Sequence, residues 1–182
     1  METQILKYWT QFQDNVYSNT VSREINLQRD SKIIEILKNF IPDAKFIADI
    51  GTGSGHLTNE LMQLGYVPYG CDLPKVINAC KIRYPDVEFL EFNAEKDILA
   101  SVDVIIASEI IEHLADDFGF LQRCKMSTNN IIITIPISSY IHPGDHHMRT
   151  YPRDSMKKLL TVAGFETKYY YEDGVSQFFY AN

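Results

Sequence analysis

A short apolar run in the chain leads into a turn that carries three glycines at alternate positions. The run Phe46–Ile50 precedes Gly51-Thr52-Gly53-Ser54-Gly55, and Asp49 lies two positions before the first glycine. Apolar residues then recur at helical spacing over 55–64. Glycines tolerate positive φ and let the backbone approach a ligand closely, and the first N–H groups of a helix are unpaired. The segment therefore predicts a strand, a tight turn and a helix that together bind a nucleoside ligand.

A second carboxylate lies 21 positions after the first glycine of this turn. Asp72 falls near the end of the next predicted strand, Val67–Leu73. A carboxylate at this place in a dinucleotide-type fold accepts hydrogen bonds from the two hydroxyls of a ribose. An aspartate that merely ends a strand is common, so the interpretation depends on the spacing between the turn and Asp72. The glycine turn and Asp72 together favour a nucleoside ligand.

The glycine spacing narrows the class of nucleoside. Dinucleotide-binding turns carry G-x-G-x-x-G, whereas the turn here is G-x-G-x-G. The chain contains no G-x-x-x-x-G-K-[ST] segment, which excludes a P-loop. Asp49 would repel a pyrophosphate and is better suited to a cationic ligand. A nucleotide-dependent oxidoreductase is therefore disfavoured.

Short β-branched runs alternate with helical segments along the rest of the chain. Strands are predicted at 46–50, 67–73, 87–92, 102–108, 130–135, 165–171 and 175–180, and helices at 31–40, 55–64, 75–83, 116–126 and 152–161. Runs such as Val102–Ser108 are typical of parallel strands buried on both faces. Asp173-Gly174 predicts a hairpin turn, which makes the last strand antiparallel to its predecessor. The sequence predicts an α/β fold, a Rossmann-like, doubly wound, seven-stranded and mostly parallel sheet with an antiparallel C-terminal β-hairpin and helices on both faces.

The whole chain, 1–182, is predicted to form a single domain, with a helical cap over 1–40 and a ligand-binding core over 46–182. The cap contains a short amphipathic helical pattern with the aromatic residues Tyr8, Trp9 and Tyr17 nearby. This segment either packs on the core or forms a lid whose aromatic side chains touch the ligand.

Polar residues follow each predicted parallel strand. Beyond the glycine turn and Asp72, they are Asn93 (followed by Ala94) after the third strand, Ser108, Glu109, Glu112 and His113 after the fourth, and a loop with His142, His146 and His147 after the fifth. In an open α/β sheet, ligands bind outside the carboxyl ends of the strands. The pattern therefore predicts one site at this edge of the sheet.

Composition limits the partners of the protein. The 182 residues carry a net charge of -7, which disfavours non-specific binding to nucleic acid. No apolar run approaches the roughly 20 residues of a membrane span, and the N-terminus lacks the features of a signal peptide. Cys71, Cys80 and Cys124 form no CxxC pair and are predicted to be buried apolar residues. We expect a cytoplasmic protein; the sequence does not specify its oligomeric state.

Three segments together resemble the class I S-adenosylmethionine-dependent methyltransferases. They are Ala48–Gly55, Gly70–Leu73 and Ala107–Leu114, and the resemblance covers about residues 46–171. The C-terminal hairpin also fits the sheet of that family, in which the last strand inserts antiparallel between the fifth and the sixth. The resemblance implies S-adenosyl-L-methionine as cofactor, S-adenosyl-L-homocysteine as product, and methyl transfer to an oxygen or nitrogen nucleophile.

The resemblance also implies roles for residues around the glycine turn. Asp49 and the turn 51–55 would face the methionine part of the cofactor. Asp72 would bind the ribose hydroxyls, with Leu73 against the adenine.

Further along the chain, the resemblance places Asn93 and Ala94 at the adenine edge and Ser108 and Glu109 near the transferred methyl group. Family members often carry Asp at the position of Asn93. The carbonyl oxygen of Asn93 can still accept a hydrogen bond from the adenine amino group.

Three histidines are candidates for a general base, which is needed only if the nucleophile must lose a proton. His146 and His147 lie in the loop after the fifth strand, and His113 is the third candidate. The alternative for His113 is an orienting residue at the start of a helix. For His146 and His147 the alternative is a plain surface loop.

A metal-dependent alternative arises from Glu109-x-x-Glu112-His113 followed by Asp145-His146, which is similar to the metal-binding set of the small-RNA 2′-O-methyltransferases. Such a set could hold a hard divalent cation. However, Glu-x-x-Glu-His also occurs in metal-free relatives, and the aromatic residues that follow the last histidine in that family are replaced by His147-Met148-Arg149. The sequence therefore predicts no metal, with a metal-assisted RNA 2′-O-methyltransferase as the alternative function.

The acceptor is not identified by residues 137–153, which are neither strongly basic nor strongly apolar. The chain has no large insertion for an elaborate substrate cap, so a small-molecule acceptor is predicted. A non-catalytic methyltransferase-like binding module is a further alternative. It is disfavoured by the intact Asp49, glycine turn and Asp72.

Overall fold

The computed structural model describes residues 20–137 and 147–182. The helices are α1 (Thr20–Phe40), α2 (His56–Gln63), α3 (Pro74–Arg83), α4 (Asp117–Ser127) and α5 (Arg153–Val162), and a 3₁₀ helix covers Ile111–His113. The strands are β1 (Phe46–Ile50), β2 (Val67–Asp72), β3 (Glu88–Glu91), β4 (Val104–Ser108), β5 (Ile131–Pro136), β6 (Thr167–Glu172) and β7 (Ser176–Ala181). The aromatic part of the predicted cap lies outside the described residues, as do His142 and His146.

All seven strands form one sheet in the order β3-β2-β1-β4-β5-β7-β6. The first five strands pair in parallel, and β7 pairs antiparallel with both β5 and β6. The predicted fold is therefore confirmed, including the insertion of the last strand between the fifth and the sixth. The chain runs outward from β1 through β2 to β3 and then returns to β4 on the other side of β1. The carboxyl ends of β1 and β4 thus flank the switch point at which such sheets bind ligands.

Helices cover both faces of the sheet, and its central strands are buried between them. α1 and α2 supply one apolar layer, which includes Ile33, Leu37 and Leu61. α4 and α5 supply the other layer, which includes Phe120 and Leu160. This double cover explains why the central strands consist of near-continuous apolar runs.

The three cysteines are free and buried, as predicted. Within 20–137 and 147–182, no helix has the length and apolar character needed to cross a bilayer.

Helix α1 begins at Thr20, earlier than the predicted Ser31. Its first half carries two buried polar residues, Asn26 and Asp30, so the apolar periodicity that predicts a helix begins only at Ile33. Asp30 Oδ2 lies 3.1 Å from Nδ1 of His56, the first residue of α2. The hydrogen bond that His56 donates to this carboxylate raises the pKa of His56. The polar part of α1 is therefore tied to the helix that follows the glycine turn.

Gly70 in β2 leaves room for the buried ring of Phe89 in β3. A Cβ atom at position 70 would clash with Phe89 Cδ1 and would lie 3.0 Å from Thr58 Oγ1. We expect Gly70→Ala to lower the free energy of unfolding by about 1–3 kcal/mol, because overpacking a filled core displaces its side chains. Urea denaturation of the apoprotein measures this change.

A Phe89→Leu background serves as the control, because it removes the ring that the new methyl group meets. The cost of Gly70→Ala should fall there, giving a favourable coupling between the two substitutions. If Gly70→Ala lowers the free energy of unfolding equally in both backgrounds, Gly70 does not lie in close contact with the ring of Phe89.

Candidate active site

The glycine turn has the backbone geometry that its sequence predicts. Gly51, Gly53 and Gly55 have φ values of 78°, 55° and 75°, in the left-handed region that favours glycine. A Cβ atom at Gly51 would lie 2.8 Å from Ile110 Cδ1, and one at Gly55 would lie 2.9 Å from Phe89 Cζ. Side chains at these two positions would therefore strain the turn and disturb its packing.

Asp49 is buried beneath this turn, with 2% of its surface exposed. Its Oδ2 accepts hydrogen bonds from Thr58 Oγ1 at 2.6 Å and from Thr52 Oγ1 at 3.0 Å. Burial raises the pKa of Asp49 to about 6, and the two hydroxyl donors oppose that rise only in part. A cationic ligand would stabilise the ionised carboxylate. Sequence reasoning missed Thr58; the available signal was a threonine on the apolar side of α2, next to Leu57.

Asp72 holds the turn from the end of β2. Its Oδ2 accepts a hydrogen bond from Gly53 N at 3.0 Å, and its Oδ1 accepts one from Leu73 N at 2.7 Å. Burial raises the pKa of Asp72, and the two N–H donors oppose this. Each carboxylate oxygen has about two acceptor positions. Both oxygens therefore retain capacity for a ribose hydroxyl.

A residue with a strained backbone directly follows strand β4. Glu109 has a φ of 52° and is the single non-glycine residue with positive φ in the described part of the chain. Backbone strain of this kind clusters at functional sites. Ser108 Oγ lies 2.9 Å from Thr134 Oγ1, which donates a hydrogen bond to Glu109 Oε1 at 3.1 Å. Thr134, paired with Ser108 in the parallel register, thus orients both predicted site residues. Sequence reasoning did not select it, because it lies inside an apolar strand.

Asn93 and Ala94 form a turn after β3. Asn93 Oδ1 accepts a hydrogen bond from Glu95 N at 2.9 Å, and Asn93 N donates to Asp97 Oδ2 at 2.7 Å. The Asn93 carbonyl therefore caps its own turn and keeps one acceptor position for a ligand. The predicted roles of Asn93, Ala94 and the exposed Leu73 at the adenine stay predictions.

A carboxylate and two histidines lie together after β4. Glu112 is 1% exposed, and in the described ranges neither of its carboxyl oxygens has a hydrogen-bond partner. One possible ligand atom from each of Glu112, His113 and His147 lies within 4.8 Å of the other two. The two imidazole rings pack edge to face, with centroids 4.6 Å apart. Burial and the neighbouring charge of Glu109 raise the pKa of Glu112 well above its ordinary value.

The structure thus brings together two of the three predicted candidate bases. The ring of His147 contacts His113, and its Nδ1 is buried without a partner among the described residues. These contacts argue against a plain surface position for His147. The catalytic roles predicted for His113, His146 and His147 stay predictions.

Ile110 joins these groups to the glycine turn, because its side chain fills the space beside Gly51. The turn fits a nucleoside with a positive charge. Its three glycines expose backbone at alternate positions, Asp72 offers acceptors to a ribose, and Asp49 supplies a buried negative charge.

Comparison with known proteins supports this interpretation. Residues 48–128 match the family model described as a methyltransferase domain. A Mycobacterium tuberculosis protein named "Probable S-adenosylmethionine-dependent methyltransferase" is 27% identical over 134 residues, which cover 67% of this chain and 49% of that protein. The chain therefore spans about half the length of this relative.

Solved structures share the fold over most of the chain. Magnesium protoporphyrin IX methyltransferase from Synechocystis, solved with bound S-adenosylhomocysteine, has a TM-score of 0.77 at 16% identity, covering 100% of this chain and 99% of that one. Human N-acetylserotonin methyltransferase, in complex with S-adenosylmethionine, has a TM-score of 0.66 at 19% identity. The match covers 92% of this chain and 57% of that one.

These comparisons support the resemblance to the class I S-adenosylmethionine-dependent methyltransferases that was read from the sequence. Two of the similar structures were solved with S-adenosylhomocysteine and with S-adenosylmethionine bound, in agreement with the predicted cofactor.

Proposed function

We propose that the protein transfers a methyl group from S-adenosyl-L-methionine to an oxygen or nitrogen nucleophile of a small-molecule acceptor. The observation that carries this proposal is the pair of carboxylates that flank the glycine turn. Asp49 lies beneath the turn with two hydroxyl donors, and Asp72 is hydrogen-bonded to Gly53 at its edge.

Each part of the turn has a distinct task in this proposal. Asp72 accepts hydrogen bonds from the two ribose hydroxyls. The negative charge of Asp49 attracts the positively charged methionine part, and the glycine backbone leaves room for it. When bound, S-adenosyl-L-methionine supplies a methyl group whose bond to sulfur breaks with its electron pair returning to sulfur.

The rest of the site orients the acceptor. Proximity and alignment supply most of the rate in such a transfer, with the nucleophile held about 3 Å from the methyl carbon. Ser108 and Glu109, fixed by Thr134, lie at the edge where the acceptor is expected to bind. A hydroxyl acceptor must also lose its proton to a base or to water.

A small-molecule acceptor is favoured over nucleic acid by the net charge of -7, because nucleic-acid binding depends on Lys and Arg at the phosphates. Two proteins with similar structures are named for the small molecules magnesium protoporphyrin IX and N-acetylserotonin. The cytoplasmic location inferred from the sequence stays a prediction.

Ligand-induced stabilisation separates this proposal from its alternatives. At about 100 times its dissociation constant, S-adenosylhomocysteine should add about 2.7 kcal/mol to the free energy of unfolding. For a domain of this size, the melting temperature should rise by about 5–10 °C, while NAD should leave it unchanged. A response to NAD alone would indicate an oxidoreductase, and no response to either ligand would indicate a non-catalytic module.

The acceptor itself requires a transfer assay. Cofactor labelled in the methyl group should be incubated with the protein and separate pools of small metabolites, RNA and proteins. The proposal expects label in the metabolite pool. Label confined to RNA would replace the small-molecule acceptor with the alternative function.

A further inference from the structure

We propose that Glu112, His113 and His147 bind one divalent transition-metal ion. The three residues come from two separate segments, the 3₁₀ helix after β4 and the segment before α5. The backbone joins these segments directly, because Met148 N donates a hydrogen bond to Glu112 O at 2.8 Å. The three side chains are therefore held next to one another by the fold.

The geometry of the cluster suits one ion. Histidine nitrogens and carboxylate oxygens lie about 2.0–2.2 Å from zinc, so ligands of the same ion are at most about 4.4 Å apart. The three ligand atoms here lie within 4.8 Å of one another, and a small side-chain movement closes that distance. Two imidazoles that coordinate one tetrahedral zinc ion have centroids about 5 Å apart by the same metal–nitrogen distance. The observed separation of the rings of His113 and His147 is 4.6 Å.

Unpaired polar atoms are the second, independent observation. Both carboxyl oxygens of Glu112 and Nδ1 of His147 are buried and lack hydrogen-bond partners within 20–137 and 147–182. Buried polar atoms in folded proteins nearly always have partners, and an unpaired one calls for an explanation such as a bound ion. Arg29 of α1 lies near enough to influence Glu112, but its Nε is also buried without a hydrogen bond. The described side chains therefore leave Glu112 unsatisfied.

A second cluster of the same residue types shows the contrast. Asp30, His56 and Glu60 also bring their ligand atoms within 4.8 Å of one another. There, however, Asp30 and His56 are paired with each other at 3.1 Å. None of its side-chain atoms is buried without a hydrogen-bond partner within 20–137 and 147–182, so this cluster gives no comparable indication of an ion.

The ligand types favour zinc or a similar transition metal. Imidazole suits Zn²⁺, Fe²⁺ and Co²⁺, whereas Mg²⁺ and Ca²⁺ prefer sites built from oxygen alone. Two histidines and one carboxylate also leave coordination positions open, as in catalytic zinc sites. Glu109 is not included, because it is not among the residues whose ligand atoms lie within 4.8 Å of one another. The site thus differs from the four-ligand set that the sequence suggested.

The open positions of the ion would be available to an oxygen atom of the acceptor. Glu112 is two residues from Ile110, which packs against the glycine turn. The cluster therefore lies beside the proposed cofactor site. This role rests on the proposed function, whereas the metal site itself does not.

Calorimetric titration of chelator-treated protein with Zn²⁺ tests the site. We expect one Zn²⁺ to bind per chain. Glu112→Gln and His147→Asn should each weaken Zn²⁺ binding by at least about 10-fold, because the loss of a residue that only supports a metal ligand already costs about 10-fold or more. His56→Gln is the matched control, since it removes a histidine from the self-paired cluster and should leave the affinity unchanged. The visible spectrum of the Co²⁺-substituted protein should show absorption that the His147→Asn variant lacks.

Absence of Zn²⁺ binding by the unaltered protein would overturn the proposal, as would unchanged affinity in both the Glu112 and His147 variants. Binding of S-adenosylhomocysteine is measured on the same samples. A variant that still binds this ligand is folded, and if Glu112→Gln does not fold, the partly exposed His147 decides the outcome. Cofactor binding without zinc binding would reject only the metal site, and zinc binding without cofactor binding would reject only the proposed function.

Discussion

Asp72→Ala is expected to weaken the binding of S-adenosylhomocysteine by at least about 100-fold. A hydrogen bond to a charged group contributes about 1.5–3 kcal/mol, and Asp72 is expected to accept two from the ribose. Together they amount to about 3 kcal/mol or more, and every 1.4 kcal/mol is tenfold in affinity. Calorimetric titration of the variant and the unaltered protein measures the ratio.

Asp86→Ala provides the matched control for this result. Asp86 is an exposed aspartate before β3, at the opposite edge of the sheet from the site, so its loss changes the net charge equally. The Asp86→Ala variant should bind S-adenosylhomocysteine with an affinity within about twofold of that of the unaltered protein, because single exposed charges contribute little. Asp72→Asn retains the hydrogen-bonding shape without the charge and should give an intermediate affinity. Equal affinities in the Asp72→Ala and Asp86→Ala variants would remove Asp72 from the site.

Asp49→Asn is expected to stabilise the apoprotein and to weaken cofactor binding. The pKa of Asp49 is about 6 against an ordinary value of 3.8, so its ionisation opposes folding. Above pH 7, this pKa difference lowers the free energy of unfolding by about 3 kcal/mol. Asparagine carries no charge and can still hydrogen-bond to the hydroxyls of Thr52 and Thr58. Urea denaturation at pH 8 should therefore show a gain in the free energy of unfolding of up to about that size.

The pH dependence gives the sign of this effect. Because the folded pKa is raised, the unaltered apoprotein loses stability as the pH rises from about 4 through about 6. The stability difference between Asp49→Asn and the unaltered protein should therefore grow over that window and then level off. The affinity for the cofactor should change in the opposite direction. In the unaltered protein it should decrease as the pH is lowered below about 6, because a cationic ligand favours the ionised carboxylate of Asp49. If the stability difference between Asp49→Asn and the unaltered protein does not vary with pH, Asp49 does not ionise with a raised pKa in the folded protein.

The fold was largely predictable because its signals are local. Continuous apolar runs such as Val104–Ser108 identified strands buried on both faces, and Asp173-Gly174 identified the hairpin that reverses the last strand. Alternate glycines located the turn for the same reason, since positive φ is costly for other residues. Helix α1 was predicted too short because Asn26 and Asp30 are polar and yet buried. Their burial depends on neighbours far along the chain.

The site was predictable only where a residue lies next to a strand end. Asp49 and Asp72 do so, and their spacing carried the prediction. Thr58 and Thr134 lie inside a helix and a strand, and they matter because the fold brings their hydroxyls to Asp49 and Glu109. His147 was predicted from its type alone, while its pairing with His113 depends on how the C-terminal part of the chain packs against the 3₁₀ helix.

Direct titration of the unaltered apoprotein with S-adenosylhomocysteine at pH 8 tests the central claim, that the glycine turn and its two carboxylates hold the nucleoside and amino-acid parts of the cofactor. One molecule should bind per chain, and NAD should give no heat of binding under the same conditions. A folded protein that binds no S-adenosylhomocysteine, or that binds it equally well without Asp72, would contradict the claim.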